Sequence, residues 1–137
     1  MLAWMVAGLS GSALCQCSAE LSSYYSGKRY DFRITPEQLS STPAWLDGEL
    51  NPPLSARSAK DIAAVYLSDL FKNAGAWRVG EIAQYPVAER WVYLISFAPP
   101  PPPGCYDCMS TPFKIVALMD GVAVRATKSR WNPPAPR

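Results

Sequence analysis

The chain has 137 residues, of which 49% are hydrophobic and 12% aromatic, and this composition suits one globular domain with its own core. Thirteen basic and eleven acidic side chains give a net charge of +2 without a run of like charge, so the composition gives no indication of nucleic-acid binding. The chain has no histidine and neither glycine-rich phosphate-binding motif, which argues against histidine-dependent catalysis, histidine-ligated metal sites and phosphate-binding loops.

The first nineteen residues carry no charged side chain, and residues 2–14 are mostly apolar, with small residues toward their end. An apolar stretch of this length followed by small residues is typical of a secretory leader, and it is shorter than a membrane span. No Lys or Arg precedes it, and the alternative is a buried N-terminal element of the domain. We interpret residues 1–19 as a signal peptide. This predicts a periplasmic or secreted protein without a stable membrane span after cleavage.

The position of leader cleavage decides which cysteines the mature chain keeps. Cleavage after Ala13 or after Ala19 would satisfy the preference of signal peptidase for small residues. A lipoprotein signal has a small residue before its modified cysteine, whereas Cys15 and Cys17 follow a leucine and a glutamine. We therefore do not expect a lipid anchor.

Residues 20–53 are predicted to form a polar lead-in with some local order. The segment KRYDFRIT alternates apolar and polar residues, as a short half-buried strand does. Thr35 then suits the N-cap of a short helix, Gln38 occupies the capping-box position, and Pro43 ends the helix. Trp45 follows in a loop, where we expect it to anchor the lead-in on the core instead of binding a ligand.

The main helix is predicted to begin after Ser55, which suits its N-cap. Apolar residues recur at the three- and four-residue spacing of one helix face, and charged residues occupy the other face. The apolar set is Ala59, Ile62, Ala63, Tyr66, Leu67 and Leu70. A helix of this kind packs on a sheet. Asn73 and Gly75 are predicted to end it, with Gly75 in the left-handed conformation.

Two strands are predicted directly after this helix. The first begins at Trp77, and its apolar residues change face near Gly80, which predicts a bulge there. A turn over Pro86–Arg90 leads to the second strand, which runs from Trp91 to Phe97. Because the second strand is apolar on both faces, we expect it to be a central strand.

A further pair of strands is predicted near the C-terminus. Residues 113–119 alternate as a third strand, and Asp120-Gly121 is a strong hairpin signal. Residues 122–127 are then expected to form a fourth strand that completes an antiparallel meander. The remaining residues, 128–137, are basic and rich in proline, and we predict a flexible tail.

The sequence resembles small exported bacterial proteins of unknown function that carry a PepSY-like module. The resemblance covers residues 52–127, through NPPLS before the helix, W-x-V and W-x-Y-x-I-x-F in the strands, and LMDG-V at the last turn. It implies an α+β fold in which one main amphipathic helix packs on a short antiparallel sheet of three to four strands. The predicted PepSY-like domain is residues 54–127, interrupted by a loop at 98–112. Some relatives of such modules bind and inhibit secreted enzymes, and the family supplies no agreed active residue.

The loop contains five consecutive prolines, Pro99 to Pro103, followed by the motif Cys105-Tyr106-Asp107-Cys108. The proline run predicts a stiff polyproline II segment, either as a rigid loop tip or as a ligand for a groove that reads PxxP. For the cysteines we favour a local disulfide between Cys105 and Cys108 in an exported protein. The alternatives are a thiol-redox pair, for which the flanking Pro and Gly leave no helix, and a zinc site completed by Cys15 and Cys17.

Two classes of function follow from the sequence. The first is an exported, non-enzymatic binding module without a cofactor, whose partner is another exported or envelope protein. Its candidate binding residues are Pro101, Pro102, Tyr106, Trp91 and Tyr93. The second is a small thiol-redox or metal-binding protein that acts through Cys105 and Cys108. No catalytic residue is predicted, because the acidic residues are dispersed singly along the chain.

Overall fold

The computed structural model describes residues 18–46, 48–105 and 111–132. These residues form six strands and two helices. The strands are β1 (Ala19–Tyr25), β2 (Lys28–Ile34), β3 (Arg78–Val87), β4 (Arg90–Ala98), β5 (Phe113–Leu118) and β6 (Ala126–Arg130). The helices are α1 (Pro36–Ser40) and α2 (Ala56–Leu70), and a 3-10 turn spans Ala74–Ala76.

The fold is α+β, as predicted, but its strands form two antiparallel sheets of three strands each. Sheet A has the order β1-β2-β6, and sheet B has the order β3-β4-β5. The main helix α2 contacts β4 and β5 of sheet B. The structure therefore confirms the α+β class with one main helix, and its two sheets differ from the predicted arrangement of one helix on a single sheet.

Sheet A joins the two ends of the described chain. Strand β1 pairs with β2 from Ala19 opposite Ile34 to Tyr25 opposite Lys28. Strand β2 matches the predicted strand in the lead-in, whereas β1 was not predicted. The predicted leader boundary at residue 19 falls inside this sheet, because Ser18 also donates its backbone N–H to the Ile34 carbonyl at 2.7 Å. Residues 1–17 lie outside the described part of the chain.

The predicted fourth strand and the predicted flexible tail both differ from the structure. Only residues 122–124 pair with β5, through a bridge between Ala117 and Ala123. The chain then leaves β5 and continues into β6. Strand β6 pairs with the edge of β2 that faces away from β1. The Tyr66 hydroxyl accepts a hydrogen bond from the Ala126 N–H at 2.7 Å and so fixes this departure. Residues 128–130, predicted as the start of the tail, therefore belong to a strand.

The two sheets meet at the outer edge of β5. Strand β4 occupies one edge of β5, and residues 122–124 bond to Val116 and Leu118 on the other edge. Further along this edge, the Ser23 hydroxyl of β1 donates to the Lys114 carbonyl and accepts from the Lys114 N–H, both at 3.0 Å. A buried side chain thus replaces a strand partner, because edge N–H and C=O groups need partners when they are covered.

Both helix starts agree with the prediction. Thr35 accepts from the Gln38 N–H, and the Gln38 side chain accepts from the Thr35 N–H, which completes a capping box. Ser55 caps α2 by accepting from the Ser58 N–H at 3.1 Å. The buried residues of α2 are Ala59, Ala63, Tyr66 and Leu67, while Ile62 is partly buried.

The end of α2 differs from the prediction. The helix ends at Leu70, and Phe71 is its extended C-cap, with φ −134° and ψ 129°. Phe71 stacks on Trp77 at a centroid distance of 4.9 Å and meets Phe113 edge-on at 5.2 Å. The predicted stop residue Gly75 lies instead in the 3-10 turn and has no positive φ. Aromatic packing therefore ends the helix one turn before the glycine.

Sheet B confirms the predicted bulge and the central strand. The register between β3 and β4 shifts between Val79 and Ile82, which spans the predicted position at Gly80. Strand β4 lies between β3 and β5. The turn joining β3 to β4 is Ala88-Glu89, with φ of 44° and 66°, so the predicted turn over residues 86–90 is shorter and Pro86 belongs to β3.

Candidate functional site

The Pro-rich loop leaves the C-terminal end of β4 and is fixed at its base. Pro99 is buried and Pro100 is half-buried, whereas Pro101 to Pro103 are exposed. The Cys105 N–H donates to the Pro102 carbonyl at 3.1 Å, and Gly104 has a φ of 81°. Proline followed by a glycine of positive φ across such a bond is a type II turn. The dipeptide Pro103-Gly104 is the sequence signal for this turn.

The cysteine predictions are only partly within the described residues. Cys105 is half-buried directly after the type II turn. Cys108, Cys15 and Cys17 lie outside the described residues, as does Tyr106. The pairing of Cys105 with Cys108 therefore stays a prediction.

A cavity of about 410 Å³ lies between the base of this loop and the start of β3. Its lining residues are Ala76, Arg78, Ala98, Pro99, Pro100 and Pro101. Arg78 lies directly opposite Ala98 in the ladder, so the exposed first residues of β3 run beside the loop. Within residues 18–46, 48–105 and 111–132, β3 pairs only with β4, which leaves its outer edge open there. Rigid prolines and an open strand edge thus meet at one end of sheet B.

Tyr93 was predicted as a binding residue, and the structure shows it in the core. It is 1% exposed. Its hydroxyl donates to the Leu54 carbonyl at 2.6 Å and accepts from the Gln84 side-chain amide at 3.1 Å. The alternation of β4 turns Tyr93 toward the same side as the fully buried Ile95, so this face meets α2 and not a partner.

Trp91, another predicted binding residue, is half-buried at the opposite end of β4 from the loop. It meets Trp45 edge-on at a centroid distance of 5.5 Å, and the Trp45 indole N–H donates to the Glu49 carbonyl at 3.1 Å. This contact agrees with the prediction that Trp45 anchors the lead-in. Ala98 lies seven positions after Trp91 along β4, which is about 23 Å at 3.3 Å per residue. Trp91 therefore does not share a surface with Pro101 and Pro102.

Sequence reasoning missed a cavity of about 260 Å³ between sheet A and the β3–β4 hairpin. Its lining is almost entirely apolar: Ala19, Leu21, Ile34, Tyr85, Pro86, Val87, Val92, Leu94 and Val116, with Glu20. The signal for it is the period-two alternation of Ala19 and Leu21 with Glu20 and Ser22. Our division of the chain at residue 19 split this pattern between leader and lead-in.

Arg29 and Asp31 of sheet A form the shortest ion pair among the described residues, with the Arg29 Nε 2.7 Å from the carboxylate. Asp31 accepts from the Ser22 hydroxyl at 2.6 Å and from the Arg29 Nε at 2.7 Å. Burial alone would raise the pKa of Asp31, but the two hydrogen bonds and the positive charges of Arg29 and Arg33 outweigh burial and lower that pKa. Asp31 is therefore held as a carboxylate and serves to join β1 to β2.

Two further properties concern the described residues as a whole. None of the helices within residues 18–46, 48–105 and 111–132 is long and apolar enough to cross a membrane. In the same ranges, no group of three or more histidine, cysteine, aspartate or glutamate side chains is arranged to hold a metal ion.

Comparison with known proteins returned no match: no family model, no curated protein and no solved structure is significantly similar to this chain.

Proposed function

We propose that this protein is an exported, non-enzymatic binding module that contacts another exported or envelope protein. The contact is made by the loop-end surface, which we define as Arg78, Val79, Pro101 and Pro102. One observation carries the proposal: exposed prolines fixed on a buried Pro99 lie beside the open edge of β3. Of the five binding residues predicted from the sequence, this surface keeps Pro101 and Pro102 and leaves out Trp91, Tyr93 and Tyr106.

The physical basis is that both parts of the loop-end surface are preorganised for binding. Prolines have fixed φ angles, so ordering them on binding costs little conformational entropy. An open strand edge offers unpaired N–H and C=O groups to an added strand. Arg78 and Val79 are exposed and supply a charge and an apolar side chain at this edge. The resemblance to a PepSY-like module also supports a binding function, because some relatives of such modules bind secreted enzymes.

A site-specific photo-crosslink tests this surface directly. A photoreactive amino acid at position 101 should give one defined protein adduct in an envelope extract of the native host. The matched control is the same amino acid in place of Pro53, an exposed proline outside the surface. Excess unlabelled wild-type protein should remove the adduct at 101. Identical adducts at both positions would contradict the proposal.

Competition with variants then measures what the stiffness of the loop contributes. The double variant Pro101→Gly, Pro102→Gly should be needed at about ten times the wild-type concentration to suppress the adduct at position 101. The reason is that each glycine adds backbone entropy to the free protein, which binding must remove. Pro53→Gly should compete as wild type. Equal competition by all three proteins would show that the prolines do not contact the partner.

The alternative is a thiol-redox or metal-binding protein that acts through Cys105 and Cys108. The observation that supports this alternative is the half-buried position of Cys105 just after the type II turn. Thiol labelling of the unfolded mature protein, with each labelled cysteine located by peptide mass, separates the two functions together with a metal analysis. Free thiols at 105 and 108, or bound metal, would favour the alternative. Their absence would favour the binding module.

A further inference from the structure

A second surface lies at the hairpin end of sheet A, where β1 turns into β2 through Ser26 and Gly27. Lys28 lies directly opposite Arg130, and Lys128 follows on the same face, opposite Tyr30. Lys128 and Arg130 are exposed, and Lys28 is partly exposed. We call this surface, together with the aromatic residues described next, the basic tip.

The basic tip also carries an exposed aromatic pair. The rings of Tyr24 and Trp131 lie 4.8 Å apart, and the two side chains are 36% and 38% exposed. The Trp131 N–H donates to the Gly27 carbonyl at 3.1 Å, which extends the pairing of β6 beyond Arg130. Tyr24 points to the opposite face of the sheet from Lys28, since neighbouring residues along a strand alternate.

Positive charge is concentrated in sheet A. Its three strands contain five basic and two acidic residues, an excess of three, whereas the whole chain has an excess of two. The two acidic residues, Glu20 and Asp31, pair with Arg33 and Arg29. Among the described residues, no carboxylate forms an ion pair with Lys28, Lys128 or Arg130.

The juxtaposition of Lys28 and Arg130 is unfavourable in the isolated protein. Residues directly opposite in an antiparallel pair have Cβ atoms about 5 Å apart, and like charges there are destabilising. An anionic ligand that lies across both side chains would relieve this repulsion. The charge of the tip is therefore complementary to a surface of closely spaced anions.

We propose that the basic tip docks the protein on an anionic phospholipid surface. Lys28, Lys128 and Arg130 contact headgroup phosphates, as basic clusters near a negatively charged bilayer do. Tyr24 and Trp131 enter the interface, which both aromatic types favour because one end of each ring is apolar and the other polar. The aromatic pair favours a bilayer over a soluble anionic polymer. This docking needs no protein partner and stands apart from the loop-end surface.

Sedimentation with vesicles tests the docking. The full chain should bind vesicles of one part phosphatidylglycerol to two parts phosphatidylcholine and should not bind pure phosphatidylcholine. About 1 M salt, where the Debye length is about 3 Å, should release it. Lys128→Gln with Arg130→Gln should lower the partition coefficient about twenty-fivefold, since each cation near such a surface contributes about fivefold. Trp131→Ala should also weaken binding.

The matched control is Arg57→Gln with Lys60→Gln, which makes the same change of net charge on α2. It should bind vesicles nearly as wild type does. Equal weakening by both double variants would show a general charge effect and overturn the assignment. Binding to single-stranded oligothymidylate without binding to vesicles would assign the tip to nucleic acid and would also overturn it. The Lys128, Arg130 variant should keep its melting temperature, because it removes a like-charge contact.

Discussion

At the scale of single residues, Tyr93 shows how one hydroxyl group can link three parts of the fold. It lies on β4, accepts from Gln84 on β3 and donates to the Leu54 carbonyl just before α2. Tyr93→Phe should lower the free energy of unfolding by about 1–2 kcal/mol, because the Leu54 carbonyl loses its partner. Urea unfolding measures the change. Tyr85→Phe is the control, since Tyr85 is exposed on β3 and should change stability by less than about 0.5 kcal/mol.

Asp31 predicts how stability depends on pH. Its pKa in the folded chain lies below the ordinary value of 3.8, so the carboxylate favours the folded state. Its contribution is complete above pH 3.8 and is lost as the pH falls from there through the lower folded pKa. Asp31→Asn should be less stable at neutral pH and should lose less stability on acidification. Unfolding midpoints across this range measure the effect.

The control for Asp31 is Asp61→Asn, which removes an exposed carboxylate of α2 with the same change of charge. This variant should keep the acid-induced loss that wild type shows. If Asp31→Asn and wild type lost stability in parallel, the bonds from Ser22 and Arg29 would not be what sets the acid response.

At the scale of elements, Ser23 joins the two sheets at the edge of β5. Ser23→Ala should lower the free energy of unfolding by about 3 kcal/mol, because both backbone groups of Lys114 then lack a partner. Chemical unfolding measures the loss. Ser129→Ala is the matched control on exposed β6 and should have little effect. Equal effects of the two substitutions would mean that the junction does not depend on this hydroxyl.

The sequence predicted most of the features that depend on interactions between residues close together in the chain. Thr35, Ser55 and the bulge near Gly80 depend on hydrogen bonds or register over a few residues, and their residue types are specific for those roles. The two-sided apolar pattern of β4 likewise predicted a central strand. These features could be predicted because the residues that determine each of them lie within a single segment of the sequence.

The remaining features depend on contacts between distant parts of the chain. Strand β6 pairs with β2 about a hundred residues earlier, and nothing in its sequence, ATKSR, is specific for that partner. Ser23 is a polar residue at an inward position, which hid β1 from a pattern of apolar alternation. Tyr93 was taken for a surface residue because the strand pattern of β4 does not show that the Leu54 carbonyl, 39 residues earlier, accepts its hydroxyl. Arg78 and Val79 of the loop-end surface were missed because only the pairing of Arg78 with Ala98 brings them beside the loop.

At the scale of the whole molecule, the position of β1 predicts where the proposed leader is cut. Cleavage after Ala19 would remove Ser18 and Ala19, which bond to or pair with Ile34. Cleavage after Ala13 leaves this strand whole. The mature protein should therefore begin at Leu14 and keep Cys15 and Cys17. N-terminal sequencing and the intact mass of the protein from its native host measure this, and a start at Glu20 would contradict it.

The pairing of β2 with β6 also sets the order in which the molecule can be assembled. Among the described strands, β2 has only β1 and β6 as partners, so one edge of β2 stays open until β6 joins it from about a hundred residues further along the chain. Contacts between such distant segments form late and slowly in folding. The β1–β2 hairpin and the neighbouring pairs of sheet B join segments that lie closer in the sequence, so they can form first. The pairing of β6 with β2 is therefore expected to be the last step of folding, and it is the step that completes sheet A.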